Sequence, residues 1–225
     1  MTARPRAWMS WSSGKDSAHA LADVLRRGEL DVVGLVTTVT ATYDRVAMHA
    51  VRRALLERQA AALALPLNVV ELPTPCTNDE YEARFGETLE RARGDGVTHV
   101  VFGDLFLADV RAYRERQLAA HGLTPVFPLW QRETGELARE MLATGLRARL
   151  TCIDPRHLDR RFAGRVFDDA LLADLPASVD PCGERGEFHT FVTHSPVFSA
   201  PIEVALGEVV ERDGFVFADL SPAGG

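Results

Sequence analysis

Lysine is almost missing from this 225-residue chain: one stands among 25 basic residues, the other 24 being arginine. Cysteine is scarce as well, with Cys76, Cys152 and Cys182 far apart and no CxxC pair. Such an odd, scattered set argues against a disulfide framework or a structural zinc site, and for a reducing compartment. No apolar run approaches the roughly 18 residues that cross a bilayer. Met1–Trp11 carries two arginines with no apolar stretch behind them, which speaks against a secretory signal. Positive charge is short too: the formal net charge is −7, so no global field holds a nucleic-acid backbone. The expectation is a cytoplasmic chain with neither membrane nor nucleic acid as partner. What remains is an ordinary composition, 46% hydrophobic and 25% charged, which excludes collagen-like, low-complexity and disordered classes.

The apolar pattern alternates strand with helix. Ala7–Trp11 reads as a strand running into Ser12-Ser13-Gly14-Lys15-Asp16-Ser17. A helix follows from Asp16, with Ala18, Leu21, Val24 and Leu25 on one face and Gly28 as its stop. Asp31–Thr40 is rich in β-branched residues, as in a strand buried on both faces. Val46–Leu65 then reads as helix, Leu67–Leu72 as strand, and Asn78–Arg93 as a helix capped by Asn78 and closed at Gly94. Val97–Phe102 is a strand ending in Gly103-Asp104, and Asp109–His121 a helix stopped by Gly122.

This rhythm predicts an α/β fold, a doubly wound parallel sheet. Ligands in such sheets sit beyond the carboxyl ends of the strands, where both Ser12–Ser17 and Gly103-Asp104 fall. Past a soft boundary near residue 122 the rhythm changes. Glu133–Thr144 reads as helix and Arg147–Ile153 as strand; Val179–Thr190 is a polar, glycine-containing stretch, and Ile202–Leu220 a hairpin about Asp213-Gly214. The expected organisation is a first domain over 1–122 and a smaller α+β domain over 123–225, with Ser221–Gly225 frayed.

A strand, a Ser/Gly turn and a helix start make a phosphate site by simple physics. Unpaired amides point outward, the helix dipole adds positive charge, and Gly14 lets backbone approach oxygen. Ser12, Ser13 and Ser17 add hydroxyls, and Lys15, the only ammonium side chain, adds a full charge. The bland alternative is a plain strand–helix turn with Ser or Asp as its cap. Neither GxxxxGK[ST] nor GxGxxG is present. The loop resembles the SGGKDS pyrophosphate loop of the N-type ATP pyrophosphatases, the PP-loop superfamily, with Ser13 in place of the second glycine. If that position needs a positive φ, serine carries a modest strain there.

A second segment, Asp180-Pro181-Cys182-Gly183-Glu184-Arg185-Gly186-Glu187-Phe188-His189-Thr190, gathers two carboxylates and an imidazole around glycines. Such a group can bind an ammonium-like substrate, hold Mg²⁺ or move a proton; a solvated turn is the alternative. Cys182 without a committed His or Asn partner reads more readily as a small buried hydrophobe than as a nucleophile. Arg111, Arg114 and Arg116 can reach phosphate or pair with Asp109 and Glu115 on a solvated helix face. Together with Gly103-Asp104, the arginine-rich helix and Pro128-Leu129-Trp130, the segment resembles the diphthine–ammonia ligase family, in that family's order and over nearly the whole chain.

The resemblance implies an adenine nucleotide alpha-hydrolase-like, HUP-type fold and an ATP-dependent amide ligase. ATP would place its phosphates on Ser12, Ser13, Gly14, Lys15, Asp16 and Ser17 and its adenine near Thr37 and Thr38, with Gly103 and Asp104 at the same cleft. Asp16 or Asp104 would help place Mg²⁺. Cys182, Gly183, Glu184, Gly186, Glu187, Phe188, His189 and Thr190 would line the acceptor side. Lys15 and Asp16 would serve the adenylation, and Glu187 or His189 would be the base when ammonia attacks the adenylated carboxylate. The expected partners are a small-molecule or protein-borne carboxylate and ammonia, free or from a partner because 225 residues leave no room for a glutaminase domain. A homodimer stays open. The family's named reaction amidates diphthine on elongation factor 2, whereas the arginine bias suits a GC-rich bacterial genome that lacks that residue, so another acid also stays open. Two other readings are a PP-loop enzyme of sulfur transfer or tRNA modification and a non-catalytic adenine-nucleotide sensor.

Overall fold

A computed structural model describes residues 3–42, 44–46 and 51–223. The first sheet starts with β1 (Arg6–Ser10), whose side chains alternate between two cores: Ala7 and Met9 face one, Trp8 the other. A strand covered on both faces reads as continuously apolar. Next come α1 (Lys15–Arg27), β2 (Asp31–Thr40), the two-residue β3 (Arg45–Val46) and α2 (Arg53–Leu63). They are followed by β4 (Leu67–Leu72), α3 (Asn78–Gly94), β5 (Val97–Val101), α4 (Ala108–Ala120) and β6 (Thr124–Val126). The parallel strands lie in the order β4-β2-β1-β5-β6, and β3 pairs antiparallel with the end of β2. Apolar residues of α1 and α2 pack into one core, those of α3 and α4 into the other. Winding reverses between β1 and β5, and the crevice outside their carboxyl ends is where such a sheet takes ligands.

The second sheet is antiparallel. It comprises β7 (Arg147–Ile153), β8 (Val166–Phe167), β9 (Phe188–His194), β10 (Val204–Arg212) and β11 (Phe215–Pro222), in the order β10-β11-β7-β8, with β9 along β7. Helix α5 (Thr134–Ala143) places Leu137, Ala138 and Met141 in the core that α1 also enters, and Phe188 and Phe191 of β9 share it. The fold is thus α/β, with a mostly parallel sheet among helices and a smaller antiparallel sheet after it. The short α6 (Asp169–Asp174) is capped by Asp168, whose carboxylate accepts from Leu171 N at 2.8 Å.

Several expectations change. The helix expected from Val46 begins at Arg53; Arg45–Val46 is strand, and residues 47–50 lie outside the described residues. Helix α3 is capped by Thr77, not Asn78: Thr77 Oγ1 accepts from Glu80 N (3.2 Å) while Glu80 Oε2 accepts from Thr77 N (2.9 Å). That reciprocal box outcompetes a lone Asn one residue later. Leu25, read onto the buried face of α1, is 43% exposed. β6 pairs with β5 beyond residue 122, so the first sheet extends to Val126. Ser221 and Pro222 are paired in β11 rather than frayed, and residues 224–225 lie outside the described residues.

Candidate active site

The loop after β1 turns on Ser13, which holds φ +70°. Gly14 then stands as the N-cap of α1 in extended conformation, without a side-chain cap bond. A helix start left uncapped is where amide donors and dipole meet an anion. Ser17 Oγ closes the turn by donating to Gly14 O at 2.9 Å, and Ser12 Oγ lies 3.2 Å from Ser17 Oγ. The second sheet reaches into this loop. Lys15 N donates to Thr190 Oγ1 (3.1 Å) and Val192 N donates to Ser13 O (2.9 Å). Gln59, fully buried on α2, accepts from Trp11 Nε1 (2.9 Å) and donates to Ser13 O (3.2 Å) and Val192 O (2.7 Å).

Lys15 is itself buried, 1% exposed. Its Nζ donates to Asp16 Oδ2 (2.8 Å) and to the Cys182 carbonyl, and it lies 5.4 Å from the Phe188 ring centroid and 5.8 Å from that of Phe167. Burial works against the ammonium, but the Asp16 carboxylate beside it, with Cys182 and Glu184 adding to it, more than offsets this, and the pKa is raised. Lys15 holds its charge.

Gly103 abuts the loop from the end of β5. A Cβ there would come within 2.8 Å of Asp16 C and 2.9 Å of Ser17 N, so only glycine lets strand end and helix start approach this closely. Asp104 faces Arg114 of α4, with Arg114 Nε 2.8 Å from Asp104 Oδ2, and the Arg114 guanidinium sits 4.4 Å over the Phe102 ring.

The polar segment before β9 is tightly organised. Asp180 Oδ1 accepts from Cys182 N (2.8 Å) and Oδ2 from Thr134 Oγ1 (2.8 Å). Glu187, 1% exposed, accepts from Asp180 N with Oε1 and from Arg185 N with Oε2, both at 3.0 Å. Cys182 directs its buried thiol to Thr134 O at 3.4 Å, and burial pushes the thiol pKa up. Gly183 holds φ +68° with Phe188 O 2.8 Å from where a Cβ would stand. Glu184 crosses over: its Oε1 accepts from Leu105 N (2.8 Å) and Phe106 N (3.3 Å). Burial lifts this carboxyl against those two amides, with Asp16 and Asp104 adding to the rise, to about 7. Burial, then the Lys15 charge, lowers His189 to about 4, so its imidazole is neutral at pH 7.

These elements enclose a cleft of about 240 Å³. It is lined by Ser12, Lys15, Asp16 and Ser17 from the loop and the start of α1, by Gly103 and Asp104 after β5, and by Gly183, Glu184, Phe188, His189 and Thr190 from the segment that runs into β9. Ser13, Gly14, Cys182, Gly186 and Glu187 are not among the lining residues. For Glu187 the reason is plain: both oxygens bind backbone amides, so it staples the segment instead of facing the cleft. Thr37 and Thr38 lie on β2 and do not line the cleft, Thr37 being buried. Arg114, Phe102, Leu107 and Ser10 also line it, and of these only Arg114, in the arginine-rich helix, was marked by residue pattern. A helix arginine set ten residues after a strand-end aspartate has no local signature of pairing. Arg111 bonds Glu115 (2.7 Å), sits 4.9 Å over Phe127 and 4.6 Å over Trp130, and does not line the cleft.

Family models match nearly the whole chain: the diphthamide synthase N-terminal domain over residues 6–125 and the diphthamide synthase C-terminal domain over 133–218. The chain belongs to the diphthamide synthase family. Among relatives named diphthine–ammonia ligase, the Homo sapiens protein is 27% identical over 93% of this chain and 86% of its own length. The Bos taurus protein is 26% identical over the same shares, and the Danio rerio protein 25% over 93% and 90%. The two matched regions each contribute to the cleft, the loop from the first and the Gly183–Thr190 segment from the second.

No group of three His, Cys, Asp or Glu that could hold a metal occurs among the described residues. Asp16 and Asp104 are the cleft's candidate ligands for Mg²⁺, and each faces a cation of the chain itself, Lys15 and Arg114. That arrangement does not fit a resident Mg²⁺ site. No helix among the described residues is long and apolar enough to cross a membrane.

Proposed function

We propose that this chain is an amide ligase of the diphthine–ammonia ligase type, which adenylates an acceptor carboxylate at the expense of ATP and transfers ammonia to it. One observation carries the reading: the uncapped start of α1 and the Gly183–Thr190 segment form opposite walls of one cleft and are tied together by the Lys15 N–Thr190 Oγ1 hydrogen bond. A phosphate-binding wall facing an acid-bearing wall suits a reaction with two substrates and two steps.

The nucleotide phosphates lie at Ser12–Ser17, and Mg²⁺ enters only with them. A carboxylate oxygen of the acceptor forms a bond to the α-phosphorus; the bond from that phosphorus to the bridging oxygen breaks, and its electron pair leaves with pyrophosphate. The helix start and the Lys15 charge offset the negative charge that grows on the leaving group, and fixed charge of this kind is commonly the largest catalytic contribution. Ammonia then displaces AMP from the acyl carbon. The relatives' name makes diphthine the first acceptor to test.

The test supplies ATP, ammonium and diphthine-bearing elongation factor 2, and follows AMP, pyrophosphate and the mass of the acceptor. AMP, pyrophosphate and amide are expected in equal amounts, and only with all three substrates present. Lys15→Ala should lower this turnover about 100-fold or more while the far-ultraviolet circular dichroism stays unchanged. ADP in place of AMP, or ATP bound and never cleaved, would overturn the ligase reading.

A further inference from the structure

The second step releases a proton: a nitrogen that arrives as ammonia leaves as a neutral amide, and a base of the cleft placed to receive what it sheds speeds the step. Most candidates are committed elsewhere. Both Glu187 oxygens accept backbone amides. Asp16 is held by Lys15 and Asp104 by Arg114. The Cys182 thiol is buried against Thr134 O. His189 lines the cleft, but an imidazole lowered to about 4 binds protons weakly.

Glu184 differs from all of these. Its Oε1 takes two amides of the connection between β5 and α4, Leu105 N and Phe106 N, which fixes the carboxyl in place. Its Oε2 has no hydrogen-bond partner, and the group no ion pair, among the described residues. The side chain lines the cleft opposite the start of α1.

We propose that Glu184 is the catalytic base of amide formation, its Oε2 taking the proton that the attacking nitrogen gives up. The lone pair of ammonia forms the C–N bond and the bond from the acyl carbon to the adenylate oxygen breaks. Its electron pair leaves with AMP, and one N–H proton passes to Glu184, which later returns it to solvent. The inference rests on the ligase reading above. A carboxyl at about 7 is matched to this task, half charged near neutrality and basic enough to hold a proton. The charged and titratable groups around it are Asp16 and Lys15 from α1, Asp104 from the end of β5, and Cys182 and Asp180 from its own segment.

Glu184→Gln keeps an oxygen for the Leu105 and Phe106 amides and loses the base. Three rates are measured on wild type and variant with diphthine-bearing elongation factor 2: ATP–pyrophosphate exchange, amide formation from ammonium, and hydroxamate formation from hydroxylamine, a stronger nucleophile that is neutral near pH 7 and depends far less on a base. In the variant, exchange and hydroxamate formation should stay within about threefold of wild type, and amide formation should fall 100-fold or more. Plotted against free ammonia, the wild-type amide rate should rise through an inflection near pH 7, and the variant should lack it. Unchanged amide formation in the variant overturns the proposal. So does loss of exchange in the variant alone, which would place Glu184 in the first step or in the fold. Absence of exchange in wild type sinks the ligase reading, and this inference with it.

Discussion

Ser13 combines two unfavourable features in one small side chain. It holds φ +70°, a left-handed conformation that costs a non-glycine residue about 1–2 kcal/mol. Its Oγ is buried with no hydrogen-bond partner, and an unsatisfied buried hydroxyl adds a cost of similar size. The loop still turns there because Ser13 O is held from two sides, by Val192 N and by the Gln59 amide. Replacing Ser13 with Gly removes both penalties, at the smaller cost of a more flexible unfolded chain. The expected gain is about 1 kcal/mol, seen as a higher melting temperature with unchanged ATP affinity. A variant no more stable than wild type would show that the hydroxyl has a partner in solution. The sequence pointed to this position through the resemblance of its loop; that φ is positive there, and that Oγ is buried outside the cleft, depends on contacts with β9 and α2.

Elements with a local cause were legible, and those fixed by distant partners were not. The strand at Asp31–Thr40 and the stop of α1 at Gly28 follow from β-branched residues and a left-handed glycine. The two residues of β3 carry too little pattern to be read as strand; they pair because the end of β2 offers an edge. Leu25 misled because a helical face is only as buried as the neighbours that cover it. Gly103 shows how two elements set a third: the chain leaving β5 packs against the first turn of α1, and the closeness of that contact is what places Asp104 at the cleft and Leu105 N within reach of Glu184. In Gly103→Ala the added methyl meets backbone, which cannot rotate away. Overpacking of this kind costs about 1–3 kcal/mol, and its relief must displace Asp16 and Ser17. The expected outcome is a lower melting temperature together with at least a tenfold weaker affinity for ATP, read by titration calorimetry. Wild-type ATP affinity in that variant would mean that the junction does not shape the phosphate wall.

At the scale of the whole molecule, the question is what makes two sheets present one cleft. Family resemblance assigned both motifs to one reaction, but residue pattern offered no way to see the contacts that join them, since hydrogen bonds between residues far apart in the chain leave no periodic trace. The meeting runs through Gln59. Its amide lies at 0% exposure between Trp11 and Ser13 of the loop after β1 and Val192 on β9, with two of its three hydrogen bonds going to the loop and one to the second sheet. Such buried networks are strong when complete and costly when broken. Gln59→Leu fills the same space, strips the partner from Trp11 Nε1 and Val192 O, and leaves Ser13 O with Val192 N alone. Each buried group left unmet costs about 1–3 kcal/mol, so a loss of about 3 kcal/mol is expected in denaturant unfolding. The more telling consequence is in coupling. With Gln59 present, ATP on the loop should slow amide hydrogen exchange in β9 as well as in α1; in Gln59→Leu the protection should remain in α1 and disappear from β9. Equal protection of β9 in both proteins would show that Val192 N and Thr190 Oγ1 join the walls without it, and that the glutamine only fills and satisfies the core.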